Sequence, residues 1–321
     1  MTFHQQVAAG IDLGSNTFRL LVAESTGKNF RILAKKMVTV RLSRGLQESG
    51  MIQKESMLYA FDVLHSFRKI LQQYSPDNIR VCGTEALRQA RNNHDFLHKA
   101  AKVIGTKIEI LNGAEEARLS LTGVLAGFHE PVAMPLLLVD VGGGSTELLF
   151  MHDATYRHIT VESAGLGVVG LTENFFISQP PRIEPLDGLI TETFGQVLAN
   201  LNVKQGHAPV TIIGCGGTAT SMAALDLNLS IYDESVVQGH VLQDTTVEKL
   251  WNKLFMLPPE CRNKLPCLGE GRGEILPAGI RIYLLLLKLL QQDRLIVSDT
   301  GLLEGIMLSS MPQAADCSVN I

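Results

Sequence analysis

Two aspartates, Asp12 and Asp140, each close an apolar run and open a turn of small and polar residues. The segments are Gly10-Ile-Asp-Leu-Gly-Ser-Asn-Thr17 and Val139-Asp-Val-Gly-Gly-Gly-Ser-Thr-Glu147. Glycines in such a turn let the backbone approach an anion and direct several N–H groups toward it. Ser145 and Thr146 add hydroxyl donors. Asp140 and Glu147 flank the second turn at opposite strand ends, which aims both carboxylates at one small volume. Hard carboxylates beside phosphate oxygens suit Mg²⁺. The bland alternative is a tight hairpin whose glycines serve only the turn; the echo at Asp12 argues for one phosphate-handling hairpin used twice.

Three further segments carry chemistry. Gly214-Cys-Gly-Gly-Thr218 joins a strand to a helix and can present a helix N-terminus to phosphate, though packing explains it as well. Gly113-Ala-Glu-Glu-Ala-Arg118 opens a helix. Its adjacent acids are either solvated at the favourable end of the dipole, or one of them orients an attacking water. Only one can serve, because Glu115 and Glu116 point in different directions. Gly83-Thr-Glu-Ala-Leu-Arg-Gln-Ala-Arg91 brings Arg88 and Arg91, and guanidinium groups clamp phosphate bidentately. A solvated basic face is equally consistent with that spacing. The basic strand from Arg31 to Arg44 either tracks a polyanion or faces water. The nine histidines show no ligand spacing, which argues against zinc.

The elements that must position these residues form a repeating order. Strands are predicted over Val7–Leu13, Thr17–Glu24 and Phe30–Val40, followed by a helix over Lys54–Tyr74, where Met57, Leu58, Phe61, Leu64, Phe67, Ile70, Leu71 and Tyr74 recur at helical intervals. Strand Ile79–Cys82, helices Glu85–Ala90 and Asp95–Ile104, strand Lys107–Leu111 and helix Ala114–Ala126 complete the half. The second half reopens with strands Leu136–Val141, Thr146–His152 and Tyr156–Glu162. Helices Leu166–Phe176 and Ile183–Leu201, strand Val210–Gly214, helix Thr218–Leu225, helix Pro277–Gln292, strand Arg294–Val297 and helix Leu302–Ser309 follow. This is a duplicated α/β pattern. The expected domains are residues 1–128 and 134–321, separated by a Pro-containing loop; the terminal helix, 302–309, packs either on its own domain or back on the first.

Composition sets limits. A chain of 321 residues, 45% hydrophobic and 19% charged, suits a two-domain globular protein. No signal peptide or membrane span is expected, nor any nucleic-acid partner. The net charge of −4 divides unevenly. Residues 1–128 hold 17 basic and 11 acidic side chains (+6) and the remainder 11 and 21 (−10), which suits an anion leaning on one half and a metal held by the other. Five scattered cysteines without a Cys-x-x-Cys pair argue against a disulfide framework and for a reducing, cytoplasmic setting.

The ordered motifs resemble the exopolyphosphatase/guanosine pentaphosphate phosphohydrolase family from about Ala9 to Ile306. They are Gly10–Leu20, Gly83–Ala90, Glu115–Arg118, Asp140–Glu147, Gly214–Thr218, Leu276–Gly279 and Val297–Gly305. The resemblance implies two RNase H-like domains of the sugar kinase–Hsp70–actin superfold with an interdomain active-site cleft. It implies release of the terminal phosphate from inorganic polyphosphate, or conversion of guanosine pentaphosphate to the tetraphosphate, with Mg²⁺ or Mn²⁺. By motif, Glu116 would be the general base, Asp140 and Glu147 would place metal and water, and Arg88 would clamp phosphate. Asp12, Gly14, Ser15 and Asn16 of the first turn, Gly143, Gly144, Ser145 and Thr146 of the second, and Gly216, Gly217 and Thr218 of the third would line the phosphate site. The chain departs from the family pattern at Leu303, where an Arg is usual, and at Leu42-Ser-Arg-Gly45. By the resemblance the chain is expected to be a short form without the C-terminal helical extension of longer members, with short polyphosphate or a nucleotide as the expected preference. Two other readings stand beside this one: a superfold ATPase or kinase, and an alarmone-binding regulator with little turnover. A homodimer is the default assembly.

Overall fold

The computed structural model describes residues 6–25, 30–154, 159–176, 181–203, 209–269 and 271–311. The chain divides into two compact units. The first takes residues up to Gly123 together with those from Gly301, and the second runs from Val124 to Thr300.

In the first unit the chain forms β1 (Val7–Leu13), β2 (Thr17–Ser25), β3 (Phe30–Thr39), α1 (Leu46–Ser49), α2 (Lys54–Tyr74), β4 (Asn78–Gly83), α3 (Glu85–Gln89), α4 (Asn93–Ile104), β5 (Ile108–Ile110) and α5 (Gly113–Gly127), whose last turn passes into the second unit. The sheet order is β3-β2-β1-β4-β5. β1 runs antiparallel to β2 and parallel to β4, so it is the central strand that both hairpin and crossover share. Residues 8–13 of β1 are all buried, as expected of a strand covered on both faces. The α2 span is the expected one, but the buried face carries Ala60, Val63, Leu64, Phe67 and Leu71, whereas Leu58 is 55% exposed. This buried face packs in one core with Ile11, Phe18, Leu20 and Val81 of the sheet.

The second unit forms β6 (Leu136–Val141), β7 (Thr146–Met151), β8 (Ile159–Ala164), α6 (Val168–Phe175), α7 (Ile183–Asn200), β9 (Thr211–Cys215), α8 (Gly216–Asp226), α9 (Glu234–Val237), β10 (Val241–Gln243), α10 (Asp244–Met256), α11 (Pro259–Arg262), α12 (Arg272–Leu290) and β11 (Arg294–Val297). Its sheet order is β10-β11-β9-β6-β7-β8. From β6 outward this repeats the first sheet: hairpin partner, then third strand, on one side and parallel strands on the other, with β10 added antiparallel at the edge. Residues 156–158 of the expected third strand lie outside the described residues, and β8 begins at Ile159.

Several helices start earlier than the sequence suggests, and two of these starts bear on the site. α12 begins at Arg272 and carries Pro277 inside, where the missing N–H leaves one carbonyl of the first turn unclaimed by the ladder. α8 begins at Gly216, so the glycine turn is the helix's own first turn rather than a loop before it. β10 and α10 fill a stretch for which no element was expected; Val247, Leu250, Trp251 and Leu254 form the inward stripe of α10.

The final helix, α13 (Leu302–Ser310), belongs to the first unit and packs on β1, β2 and β4. Leu303 and Met307 join Ala8, Leu21 and Ala23 in a small core, while Leu302 and Ile306 join Cys82, Leu111 and Leu119. Gly305 permits the crossing with α5, since a Cβ there would overlap the Leu119 carbonyl oxygen. Among the described residues no helix is long and apolar enough to cross a membrane.

Candidate functional site

The two hairpins match residue for residue. In the first, the Gly14 amide donates to the Thr17 carbonyl at 3.1 Å; in the second, the Gly142 amide donates to the Ser145 carbonyl at 2.9 Å. Each aspartate sits at the same strand position and faces a charged residue directly across the ladder: Asp12 opposite Arg19, and Asp140 opposite Glu147. Opposite residues of an antiparallel pair share one face of the sheet. The duplication therefore delivers an acid–base pair in the first unit and an acid–acid pair in the second.

In the first unit Asp12 is 1% exposed. Its Oδ2 accepts from Arg19 Nε at 2.8 Å and lies 2.6 Å from Arg19 Nη2, while Oδ1 has no hydrogen-bond partner. Burial pushes this carboxyl above the usual carboxylate range, and Arg19 opposes the shift without cancelling it. An orphaned, desolvated oxygen beside a glycine turn fits a ligand such as a cation or its water. Arg19 was not among the expected site residues. Its position seven residues after Asp12, matching Glu147 after Asp140, is the signal that marks it.

The same turn is fastened to its neighbours. Ser15 Oγ accepts from the Ala86 amide at 3.2 Å, fixing the turn to the start of α3, and the Asn16 carbonyl accepts from the Val40 and Arg41 amides at 2.8 Å each. Two residues further along α3 lies Arg88. Burial opposes its charge, but Glu116 and then Glu85 outweigh that effect and hold the guanidinium charged. Its Nη1 donates to Glu116 Oε2 at 2.7 Å and to the Leu111 carbonyl at 2.5 Å; its Nε donates to Glu85 Oε2 at 2.7 Å.

The adjacent acids of α5 part company. Glu116 is 7% exposed and bonded to Arg88, whereas Glu115 is half-exposed and bonded to Arg80 Nη2 at 2.8 Å. Asn112 holds this first turn, its Oδ1 accepting from the Glu115 amide at 2.9 Å and its carbonyl from the Glu116 amide at 3.0 Å. Of the two carboxylates, the buried one stands beside the guanidinium that follows the β4–α3 junction.

In the second unit Glu147 is 3% exposed, and its Oε1 accepts from Ser145 Oγ at 2.7 Å and Ser163 Oγ at 2.9 Å. Those bonds orient the carboxylate beside Asp140. The carbonyls of Gly142 and Gly143 accept from the Val168 and Val169 amides at the start of α6, at 3.0 and 2.9 Å. Among the described residues the Gly143 and Gly144 amides donate to no backbone carbonyl, and backbone N–H groups of a glycine turn suit an anion. Thr146 spends its hydroxyl on the Leu166 carbonyl at 2.7 Å, so it secures the turn instead of adding a donor to it.

Gly216 adopts φ +75°, and a Cβ there would overlap Asp140 Oδ1. The first turn of α8 is thereby brought against the Asp140 carboxylate. Gly217 meets the guanidinium of Arg272, again where a Cβ would overlap, and Thr218 is buried with its Oγ1 3.4 Å from the Val141 carbonyl oxygen. Arg272, at the start of α12, also lay outside the sequence expectation, because only folding brings it to Gly217. Of the site residues expected in this unit, Asp140, Glu147, Gly143, Gly144, Ser145, Gly216, Gly217 and Thr218 lie around the β6–β7 turn and the β9–α8 junction, two neighbouring strand ends.

Among the described residues no group of three His, Cys, Asp or Glu side chains gathers as a metal cluster. Two carboxylates on one face of the sheet are nonetheless a donor set that Mg²⁺ uses together with substrate phosphate and water. Asp140 and Glu147 fit that role.

Comparison with known proteins agrees with this chemistry. The sequence profile described as the Ppx/GppA phosphatase family matches residues 21–314. A guanosine-5'-triphosphate,3'-diphosphate pyrophosphatase of Vibrio vulnificus is 29% identical over 306 residues, covering 95% of this chain and 59% of that protein, so the chain spans less than two thirds of that relative. Exopolyphosphatase 2 of Mycobacterium tuberculosis is 27% identical over 318 residues, 94% of this chain and 97% of that protein. Among solved structures, the Aquifex aeolicus member of the Ppx/GppA family superposes with a TM-score of 0.79 at 29% identity, covering 95% and 97% of the two chains. An exopolyphosphatase from Cytophaga hutchinsonii gives 0.82 at 26%, also covering 95% and 97%. The two α/β units have the architecture of the actin-like superfold to which these neighbours belong. The family match covers nearly the whole length: this chain belongs to the Ppx/GppA phosphatase family.

Proposed function

We propose that the chain is a divalent-metal-dependent phosphoanhydride hydrolase that releases the terminal phosphate of inorganic polyphosphate or of guanosine pentaphosphate. The observation that carries this reading is the buried Glu116 carboxylate held against Arg88, a base candidate and a phosphate clamp 2.7 Å apart. The names of the Vibrio and Mycobacterium relatives supply the two substrate classes.

In this reading Glu116 accepts a proton from water as the water oxygen attacks the terminal phosphorus. The phosphorus–oxygen bond to the bridging oxygen breaks, its electron pair stays on that oxygen, and the products are orthophosphate and a chain one phosphate shorter. Arg88 holds phosphate oxygens by paired N–H donors. In the second unit the phosphate-lining groups are the amides of Gly143 and Gly144 and the first turn of α8 at Gly216 and Gly217; in the first unit they are Gly14, Ser15 and Asn16 of the β1–β2 turn. Asp140 and Glu147 are the residues that would hold Mg²⁺ or Mn²⁺, which would supply charge neutralisation at the phosphate oxygens. Positioning and charge neutralisation are what phosphoryl transfer requires most, so a site built from amides, guanidinium groups and carboxylates suffices. We take the working compartment to be the cytoplasm; the four described cysteines, all free, support this, and Cys317 lies outside the described residues.

One assay tests the reading. Phosphate release is followed from short and long polyphosphate, guanosine pentaphosphate and ATP, with and without Mg²⁺. Metal-dependent release from polyphosphate or guanosine pentaphosphate well above that from ATP is the expected result. Preferential ATP turnover would favour a superfold ATPase or kinase, and binding of guanosine tetraphosphate without turnover would favour a regulator.

A further inference from the structure

The duplicated hairpin makes the two aspartates a controlled comparison. Each stands directly across the antiparallel ladder from the residue that ends its turn sequence, Asp12 from Arg19 and Asp140 from Glu147. On its other side, the parallel neighbour in register is a cysteine in both sheets, Cys82 beside Asp12 and Cys215 beside Asp140. Both turns close with the same bond, from the Gly14 amide to the Thr17 carbonyl and from the Gly142 amide to the Ser145 carbonyl. Between these matched surroundings, the residue facing the aspartate reverses its charge.

That reversal has an electrostatic consequence. Two carboxylates directly opposite on one sheet face repel, and a cation between them removes the repulsion. Glu147 accepts from the Ser145 and Ser163 hydroxyls, but a hydroxyl brings no charge to offset a second carboxylate. In the first hairpin the cation belongs to the chain. Asp12 is buried, and its Oδ2 lies 2.8 Å from Arg19 Nε and 2.6 Å from Arg19 Nη2. A bare carboxylate there would repel phosphate from the adjacent turn of Gly14, Ser15 and Asn16, and the guanidinium offsets that field.

We propose that Arg19 is a built-in cation that stands, in the first unit, where the second unit takes a divalent ion, so that the chain holds one such ion and the first hairpin handles phosphate without one. The inference rests on reading Asp140 and Glu147 as the metal residues. It makes Arg19 a specificity residue that excludes a second ion, and Asp12 the residue that positions it. Exclusion is electrostatic, because a divalent cation meets like charge, and steric, because the guanidinium fills the space beside Asp12 Oδ2. Asp12 Oδ1 has no hydrogen-bond partner, so this carboxylate keeps an oxygen for a metal once the guanidinium is removed. Arg19→Glu shortens the side chain, restores the acid–acid pair of the second hairpin and leaves room for the ion and its water.

The test counts bound ions and needs no turnover. Mn²⁺ is titrated into wild type, Arg19→Glu, Glu147→Gln and the Arg19→Glu/Glu147→Gln double variant, with free ion read by electron paramagnetic resonance and folding checked by circular dichroism. Wild type should bind one Mn²⁺ per chain and Arg19→Glu two. Over the same concentration range Glu147→Gln should bind none, and the double variant one, held by the first hairpin. A folded Arg19→Glu with the wild-type count, or a second ion already bound by wild type, would overturn the role given to Arg19. If Arg19→Glu does not fold, Arg19→Gln removes the charge and keeps an oxygen donor opposite Asp12; it should gain a second, weaker ion, and the wild-type count there overturns the proposal equally. Failure of wild type to bind Mn²⁺, or undiminished binding by Glu147→Gln, would instead remove the metal reading of Asp140 and Glu147, and this inference with it.

Discussion

Glu115 and Glu116 are neighbours in sequence, yet each is bonded to a different guanidinium: Glu115 to Arg80 at 2.8 Å and Glu116 to Arg88 at 2.7 Å. Arg80 also bonds Glu109 and Ser309, tying the first turn of α5 to β5 and α13, so one acid fastens the helix and the other is buried beside the clamp. Glu116→Gln should lower kcat by roughly 10²- to 10⁴-fold, the span typical of losing a general base. Glu115→Gln should cost less than about 1 kcal/mol of stability, as for an exposed ion pair, and retain most of the turnover. Steady-state phosphate release together with denaturant unfolding of both variants checks this; equal losses of rate would remove the distinction.

Ser163 on β8 offers a test of the metal assignment that leaves both proposed ligands intact. Its hydroxyl donates to Glu147 Oε1 at 2.9 Å. Groups that orient a metal-binding carboxylate typically contribute about 10- to 100-fold in metal affinity or activity. Ser163→Ala should therefore raise the Mg²⁺ concentration needed for half-maximal rate by about tenfold, with the rate at saturating Mg²⁺ largely recovered. An unchanged Mg²⁺ dependence would separate Glu147 from the metal.

Gly305 pits helix propensity against packing. In an open helix Gly→Ala stabilises by about 1 kcal/mol. Here the new methyl would overlap the Leu119 carbonyl oxygen, backbone that has no rotamer with which to yield. Overpacking of this kind costs about 1–3 kcal/mol and occasionally more, so Gly305→Ala should destabilise by about 2 kcal/mol in chemical denaturation. A stabilised variant would mean that α13 does not cross α5 this closely.

Burial pushes the Cys82 thiol up to about 12, with the nearby Arg80 opposing only part of the effect. The thiolate is the nucleophile, so at pH 8 Cys82 stays protonated and unreactive as well as inaccessible. Peptide mapping after alkylation of the native protein should find, among the four described cysteines, Cys261 modified first and Cys267 slowly, with Cys82 and Cys215 labelled only on unfolding. Rapid native labelling of Cys82 would show that the core of Leu111, Leu119, Leu302 and Ile306 opens readily.

Much of the candidate site is legible locally. Apolar runs ending in Asp12 and Asp140, each followed by a Gly-rich turn, specify strand–turn–strand units because side-chain alternation and glycine placement act over a few residues. The hairpin register follows from the turn, so Asp140 opposite Glu147 was readable before folding. The same logic applied to the first hairpin yields Arg19, which the motif reading passed over. α10 was likewise available from Val247, Leu250, Trp251 and Leu254.

The amino-acid order by itself determined a duplicated α/β layout, two aspartate-headed hairpins and a pair of acids opening α5, because each depends on interactions within a few residues. Tertiary structure alone decided that α13 returns to β1 through Gly305, that Arg272 covers Gly217, that Ser163 steadies Glu147, and that Arg88 selects Glu116 while Arg80 takes Glu115. These pairings join residues far apart in the chain, and which of several nearby carboxylates a guanidinium meets depends on how helices and strands pack rather than on any local pattern.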